Sequence, residues 1–262
     1  MSRAIVITSG KGGVGKSSLA VCIGRELAKR GKKTVLIDTD IGLNNLDVIM
    51  NVENRVVYDL YDVTKGKCRL SQALTQDKEQ PLLYLSSSKG YRECVAQDFL
   101  KKVVSSLLNK FDYVFIDCPA GIDAGFHRAI SVADQAIVVT TPHVSAIKDA
   151  SIVIEILKSY SYKKIGYLLN RMRWDMVVNS TMAEVKDVTD ALSVPPVGVI
   201  PECDSINTLS TLGLPIRTDE DGYEAIRILC DNIEQDGNVV LDLSKRYKGF
   251  LGAVRRLIKN KA

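Results

Sequence analysis

The chain has no long apolar run, no CxxC pair and only two histidines, and each shortage removes a class of function. A membrane-spanning helix needs about 20 consecutive apolar residues, and nothing approaches that. The opening apolar run, 4–7, is too short for the core of a secretory signal. Any membrane contact is therefore peripheral. The six cysteines, Cys22, Cys68, Cys94, Cys118, Cys203 and Cys230, are scattered. They do not combine with His127 or His143 at metal-ligand spacing, which argues against a zinc or iron–sulfur site. Such cysteines, without a signal peptide, read as reduced thiols of a cytosolic protein. Internal repeats, low-complexity stretches and long linkers are also missing. Acidic residues are absent from 245–262, where seven of the 35 Lys+Arg fall.

What is present is the composition of an ordinary globular protein, 46% hydrophobic and 25% charged over 262 residues. That length suits one large domain or two small ones, with a sizeable buried core. The net charge of +4 belongs to the C-terminus: without its seven cations, 28 basic residues face 31 acids. The body is mildly acidic, which disfavours nucleic acid as a partner.

Short Val- and Ile-rich runs alternate with helical patterns, the βα rhythm of a parallel sheet covered on both faces. Strands are expected at 3–8, 33–37, 82–85, 112–117, 134–140, 164–169 and 196–200. They lack polar alternation, as buried strands do. Helices are expected at 16–30, 97–110, 145–159, 177–191 and 222–234. Leu19, Ala20, Ile23, Leu27 and Ala28 share one face of the first, and Gly31 suits its end. The fold class is α/β, a doubly wound and mostly parallel sheet, spanning 1–240, followed by a tail at 245–262.

Between the first strand and first helix lies Gly10-Lys11-Gly12-Gly13-Val14-Gly15-Lys16-Ser17-Ser18, which fits GxxxxGK[ST]. Glycines let backbone N–H groups curl around phosphate oxygens, and the helix N-terminus adds a favourable dipole. Lys16 offsets β/γ-phosphate charge, and the Ser17 hydroxyl is placed for Mg²⁺. Carboxylates follow from two strand ends: Asp38 and Asp40 in IDTD, and Asp117 in IDCPAG. Ligands of open parallel sheets lie at the carboxyl ends of strands, so these acids should converge on the phosphates. Asp117 suits the Mg²⁺ shell with Asp38 beside it, and Asp40 is the candidate for orienting the attacking water.

The tail, SKRYKGFLGAVRRLIKNKA, spaces Tyr247, Phe250, Leu251, Val254, Leu257 and Ile258 so that a helix would gather them within an arc of about 120°. Lys248, Arg255, Arg256 and Lys259 would face away. This is the pattern of an interfacial helix lying on anionic lipid, on the inner face of the cell membrane. Gly249 and Gly252 weaken the helix by about 1 kcal/mol each relative to Ala, so folding on the lipid is expected.

The early lysine in KGGVGKS resembles the deviant Walker A family of dimerising P-loop ATPases. Longer stretches, IDTDIGLNNLDVIMNVENRVVYDLYDV, DYVFIDCPAGID, TTPHVSAIKDA and VGVIPECDSINTLSTLGLPI, are similar to its cell-division branch along the whole chain. That resemblance implies ATP and Mg²⁺, and a homodimer in which Lys11 reaches the partner's nucleotide. It implies that Asn170, Arg171, Pro201 and Glu202 flank the base, with the Asn170 amide suited to adenine. It further implies that Ser145 and Asp149 contact partners: a MinC-like division inhibitor, and a MinE-like activator or other topological factor. Two tails on one dimer would then bind membrane with high avidity. Ser17 stands where many members carry Thr, and Asn44 replaces a common basic residue. Flagellar-number and ParA-type partition ATPases of the same family are the alternatives.

Overall fold

The computed structural model describes residues 2–40, 45–87, 95–214, 216–218, 220–249 and 252. The strands are Arg3–Thr8 (β1), Thr34–Asp38 (β2), Leu74–Gln76 (β3), Leu83–Leu85 (β4), Tyr113–Asp117 (β5), Gln135–Thr140 (β6), Lys164–Met172 (β7) and Pro196–Pro201 (β8). The first helices are Lys16–Lys29 (α1), Asn45–Ile49 (α2), Leu60–Thr64 (α3), Leu70–Ala73 (α4), Gln97–Leu108 (α5) and Ala124–Ile130 (α6). Val144–Lys158 (α7), Trp174–Val178 (α8), Val185–Leu192 (α9), Asp204–Leu212 (α10) and Asp221–Gln235 (α11) complete them. Among the described residues one sheet runs β3-β4-β2-β5-β1-β6-β7-β8. All neighbours are parallel except the β3–β4 edge pair.

Each central strand is apolar on both sides because both sides are covered. In β1, Ile5 and Ile7 pack under α1, α10 and α11, while Ala4 and Val6 pack with residues of α5, α6 and α7. β1 lies between β5 and β6, so the chain winds away from it in both directions. A crevice opens at the carboxyl ends of such strands, and the loop after β1 fills its floor.

Several local expectations differ from what forms. The helix expected over 177–191 is two helices, α8 and α9. Ser180 at φ 56° breaks the run, and a capping box between Glu184 and Asp187 starts a new helix. β3 was not expected; Leu74 and Gln76 pair with β4 at the sheet edge. β7 also continues to Met172, and its pairing with β8 shifts register after Leu169. Residues 237–249 fold back onto the sheet domain. Leu243 is buried, Tyr247 packs against the core, and Arg246 pairs with Asp221 at 2.6 Å.

The helix that carries the phosphate loop is anchored by a buried ion pair. Arg25 of α1 donates through Nε and Nη2 to Asp77, at 3.0 and 2.9 Å. Asp77 also accepts the backbone N–H groups of Glu79 and Gln80. Removing one partner of a buried pair strands the other charge, which costs about 3–5 kcal/mol. Asp77→Ala is expected to lower the unfolding free energy by about that amount in urea melts; a loss near zero would show that α1 is held by packing alone.

Candidate functional site

The loop from Ser9 to Gly15 owes its shape to its own residues. Gly13 and Gly15 stand at φ 77° and 93°, the left-handed region that side chains with a Cβ avoid. Gly10 lies so close to the Asp149 backbone that a Cβ would collide with it. A Cβ on Gly15 would collide with the Asn170 amide, whose Nδ2 donates to the Val14 carbonyl at 2.8 Å. β7 and α7 therefore brace the loop from two sides. Ser9 Oγ closes it by donating to the Lys11 carbonyl at 3.0 Å.

The acids meet through strand register. Asp38 and Asp117 are direct partners across β2 and β5, and both are buried. Lys16, opening α1, reaches Asp117 Oδ1 at 2.7 Å and lies 3.4 Å from Ser17 Oγ. Burial opposes the Lys16 charge, but the Asp117 carboxylate outweighs it and the pKa is raised overall. Asp38 makes no ion pair among the described residues, although the Lys16 charge also favours its ionised form. Burial, and next the Asp117 charge, push its carboxyl well above the usual range, despite an N–H bond from Asp40 to Oδ1 at 2.8 Å. Asp40 is half-buried, and burial raises its pKa too, with Lys16 offsetting part.

A cleft of about 430 Å³ lies over this cluster. Lys11, Gly12, Gly13, Val14, Gly15, Lys16, Ser17, Ser18, Asp40 and Arg171 line it. Arg171 faces the cleft because it sits at φ 60° within the register shift of β7, which turns it out between buried neighbours. Asn170 is buried under the loop, with its amide nitrogen given to Val14. Pro201 is buried at the end of β8, Glu202 is exposed, and neither lines the cleft. Val48 and Ile49 of α2, Ala120, and Ser210 of α10 do line it, and none of them was singled out as a site residue from the sequence. Ser210 joins the loop helix through a 2.6 Å bond to Ser18 Oγ. Because Ser210 already donates to the Ile206 carbonyl, Ser18 is the donor.

Lys11 is exposed at the mouth, with Nζ 3.4 Å from Ser145 Oγ at the start of α7. Asp149, one turn further on, packs on Gly10 through its backbone. Of the tail residues read as facing a membrane, Tyr247 and Lys248 are described, Tyr247 partly buried and Lys248 exposed. Phe250, Leu251, Val254, Arg255, Arg256, Leu257, Ile258 and Lys259 lie outside the described residues. Cys118 is buried and its thiol is pushed up to about 12, so it is no nucleophile.

The donor set fits Mg²⁺. Ser17 offers a hydroxyl, Asp117 a carboxylate, and Asp38 a buried Oδ2 without a hydrogen-bond partner. A buried polar atom left unpaired costs about 1–3 kcal/mol, and hard dications take oxygen ligands of this kind.

Two outcomes follow from this geometry. Gly15→Ala should abolish binding of a fluorescent nucleotide while leaving the circular dichroism spectrum native, since both the backbone and the Asn170 brace are lost; retained binding would refute the brace. A raised folded pKa makes the Asp38 proton cling more tightly in the folded state, so this site's contribution to stability falls as pH climbs above about 4. Asp38→Asn removes that loss. It should raise the Tm of the nucleotide-free protein at neutral pH, with the gain vanishing near pH 4, and a gain independent of pH would contradict this.

A family model described as ParA, NUBPL iron-transfer P-loop NTPase, matches residues 1–226. A putative septum site-determining protein MinD of Guillardia theta is 42% identical over 98% of this chain and 97% of its own length. The MinC:MinD cell division protein complex of Aquifex aeolicus superposes with a TM-score of 0.84 at 39% identity, covering 92% of this chain and 98% of that one. The septum site-determining protein MinD complexed with Mg-ADP from Pyrococcus horikoshii gives 0.81 at 28% identity, over 90% and 97%. With its phosphate loop, paired strand-end acids and full-length similarity, the chain belongs to the MinD septum site-determining ATPases of the ParA-type P-loop NTPase family.

Proposed function

We propose that this ATPase cycles between a nucleotide-driven dimer on the membrane and a free monomer, and that the dimer recruits a MinC-like division inhibitor. The observation that supports this best is the unequal placement of the two loop lysines. Lys16 is turned inward onto Asp117, whereas Lys11 is exposed at the cleft mouth with one long contact to Ser145. An inward lysine serves its own chain's phosphates. An outward one is free to serve the nucleotide of a second chain.

The residues divide the work accordingly. Backbone N–H groups of the loop hold the phosphates, and arriving phosphate oxygens offer Lys16 a partner other than Asp117. Ser17, Asp38 and Asp117 hold Mg²⁺, which when bound neutralises phosphate charge. Asp40, on the cleft wall, orients the attacking water. Burial raises its pKa above that of an ordinary aspartate, which makes it a stronger proton acceptor. Lys11 of a second chain adds a cation as charge builds on the transferring phosphoryl, a device worth about 10³–10⁵ in rate for comparable fingers. Hydrolysis thereby depends on the dimer.

Ser145 and Asp149 make α7 the partner surface. Because Asp149 packs on Gly10 and Ser145 meets Lys11, this surface adjoins the phosphate loop directly. A MinC-like inhibitor and a MinE-like activator, or another topological factor, would read the nucleotide state there. The basic amphipathic tail supplies the lipid contact, and pairing two tails raises avidity. Among the described residues no helix is long and apolar enough to cross a membrane.

Sedimentation with anionic liposomes tests the cycle. ATP should carry the wild type into the pellet, and ADP should not. Lys11→Ala is expected to bind nucleotide with wild-type affinity yet hydrolyse it at least about tenfold more slowly, given the size of such cation effects. A chain ending before Tyr247 should stay in the supernatant with ATPase activity retained. Equal pelleting with ADP and ATP, or ATPase stimulation by DNA rather than lipid, would sink the reading.

A further inference from the structure

Three buried side-chain atoms on one face of the sheet have no hydrogen-bond partner: Asp38 Oδ2, the Tyr84 hydroxyl and Ser86 Oγ. Strand register brings them together. Leu36 pairs with Tyr84 and Ile37 with Leu85, so alternation puts Leu36, Asp38, Tyr84 and Ser86 on the same side of β2 and β4. That is the side where Leu36 and Tyr84 pack with Ile23 and Leu27 of α1. Tyr84 and Ser86 are wholly buried and Asp38 is 1% exposed. A phenylalanine would fill the place of Tyr84 without bringing a hydroxyl into the core.

The three atoms complement one another chemically. A carboxylate oxygen only accepts, while the phenol and the serine hydroxyl donate and accept. Burial, then the Asp38 charge, raises the Tyr84 pKa well above the phenol's ordinary value, so the hydroxyl keeps its proton and remains a donor. Of the acids bearing on Tyr84, namely Asp38, Asp47 and Asp117, Asp38 acts most strongly. The Tyr84 and Ser86 hydroxyls lie close enough to act on one another without a well-formed bond, and neither bonds Asp38 Oδ2 directly. Interiors resolve such gaps with an ordered water that makes two to four bonds.

We propose that Tyr84 and Ser86 are positioning residues for Asp38, acting through one internal water that both hydroxyls hold against Asp38 Oδ2. Asp38 Oδ1 is already fixed by the Asp40 N–H, so this water fixes the carboxylate's orientation through one lone pair of Oδ2 and leaves the other lone pair available to the divalent cation. The proposal rests on the reading of Asp38 as part of the Mg²⁺ shell. Outer partners of metal-holding groups commonly carry tenfold to hundredfold effects on metal affinity.

The test uses the full chain and a fluorescent ATP analogue, titrated with Mg²⁺, alongside urea melts without metal. Tyr84→Phe and Ser86→Ala should each raise the half-saturating Mg²⁺ about tenfold, with nucleotide affinity in the absence of Mg²⁺ unchanged. The double variant should add little to either, because both act through one water. In the melts, Tyr84→Phe should destabilise the protein, since the water loses a partner. A hydroxyl that was simply stranded would give the opposite sign, and the phenylalanine variant would be more stable. That gain, or a wild-type Mg²⁺ response in Tyr84→Phe, overturns the proposal. If wild-type nucleotide binding ignores Mg²⁺, the metal role of Asp38 fails, while the sign of the melt shift still decides whether the Tyr84 hydroxyl is bonded or stranded.

Discussion

Two carboxylates, Asp38 and Asp117, lie side by side at the ends of adjacent parallel strands, out of water. Like charges in that setting repel, and both also pay for desolvation. Lys16 pairs with one of them at 2.7 Å and acts on the other only from a distance, too weakly to offset its burial. Much of the site can be understood as the response to that imbalance. The loop puts Lys16 where it can leave Asp117 for phosphate. The Arg25–Asp77 pair fixes the helix that carries Lys16, and Asp38 keeps a buried oxygen open.

The same geometry gives the loop two outlets. Inward, its conformation is set by glycines at positive φ and by the Asn170 amide, so phosphate binding and the end of β7 are one mechanical unit. Outward, Gly10 rests on the backbone of α7 and Lys11 touches its first turn. No layer of side chains separates the phosphate loop from α7 at Gly10. On the α10 side, the Ser18–Ser210 bond plays a similar part, linking the loop helix to the segment that follows β8.

Legibility in the sequence followed locality. The loop was readable because each glycine answers a backbone need within a few residues. The buried strands were readable because covering both faces of a sheet demands uninterrupted Val and Ile. The break between α8 and α9 was harder: residues 177–191 carry a helical pattern, and the left-handed turn at Ser180 has no glycine to announce it. Arg171 was singled out by resemblance, but its outward turn comes from a register shift against β8 that no local pattern contains. Val48, Ile49 and Ser210 were silent because ordinary residues become cleft walls only when α2 and α10 are brought beside the loop.

By itself the sequence determined the phosphate loop, the acids at strand ends, the parallel α/β class and the charge asymmetry of the C-terminus. All of these depend on residue type and short spacing. The tertiary structure decided which acid faces which cation, since Lys16 and Asp117 stand 101 residues apart in the chain. It also decided that Asn170 supports the loop with its amide nitrogen, and that Tyr84 lies on the Asp38 side of the sheet. Strand order and register set those proximities, and register is a property of the assembled sheet rather than of any one strand.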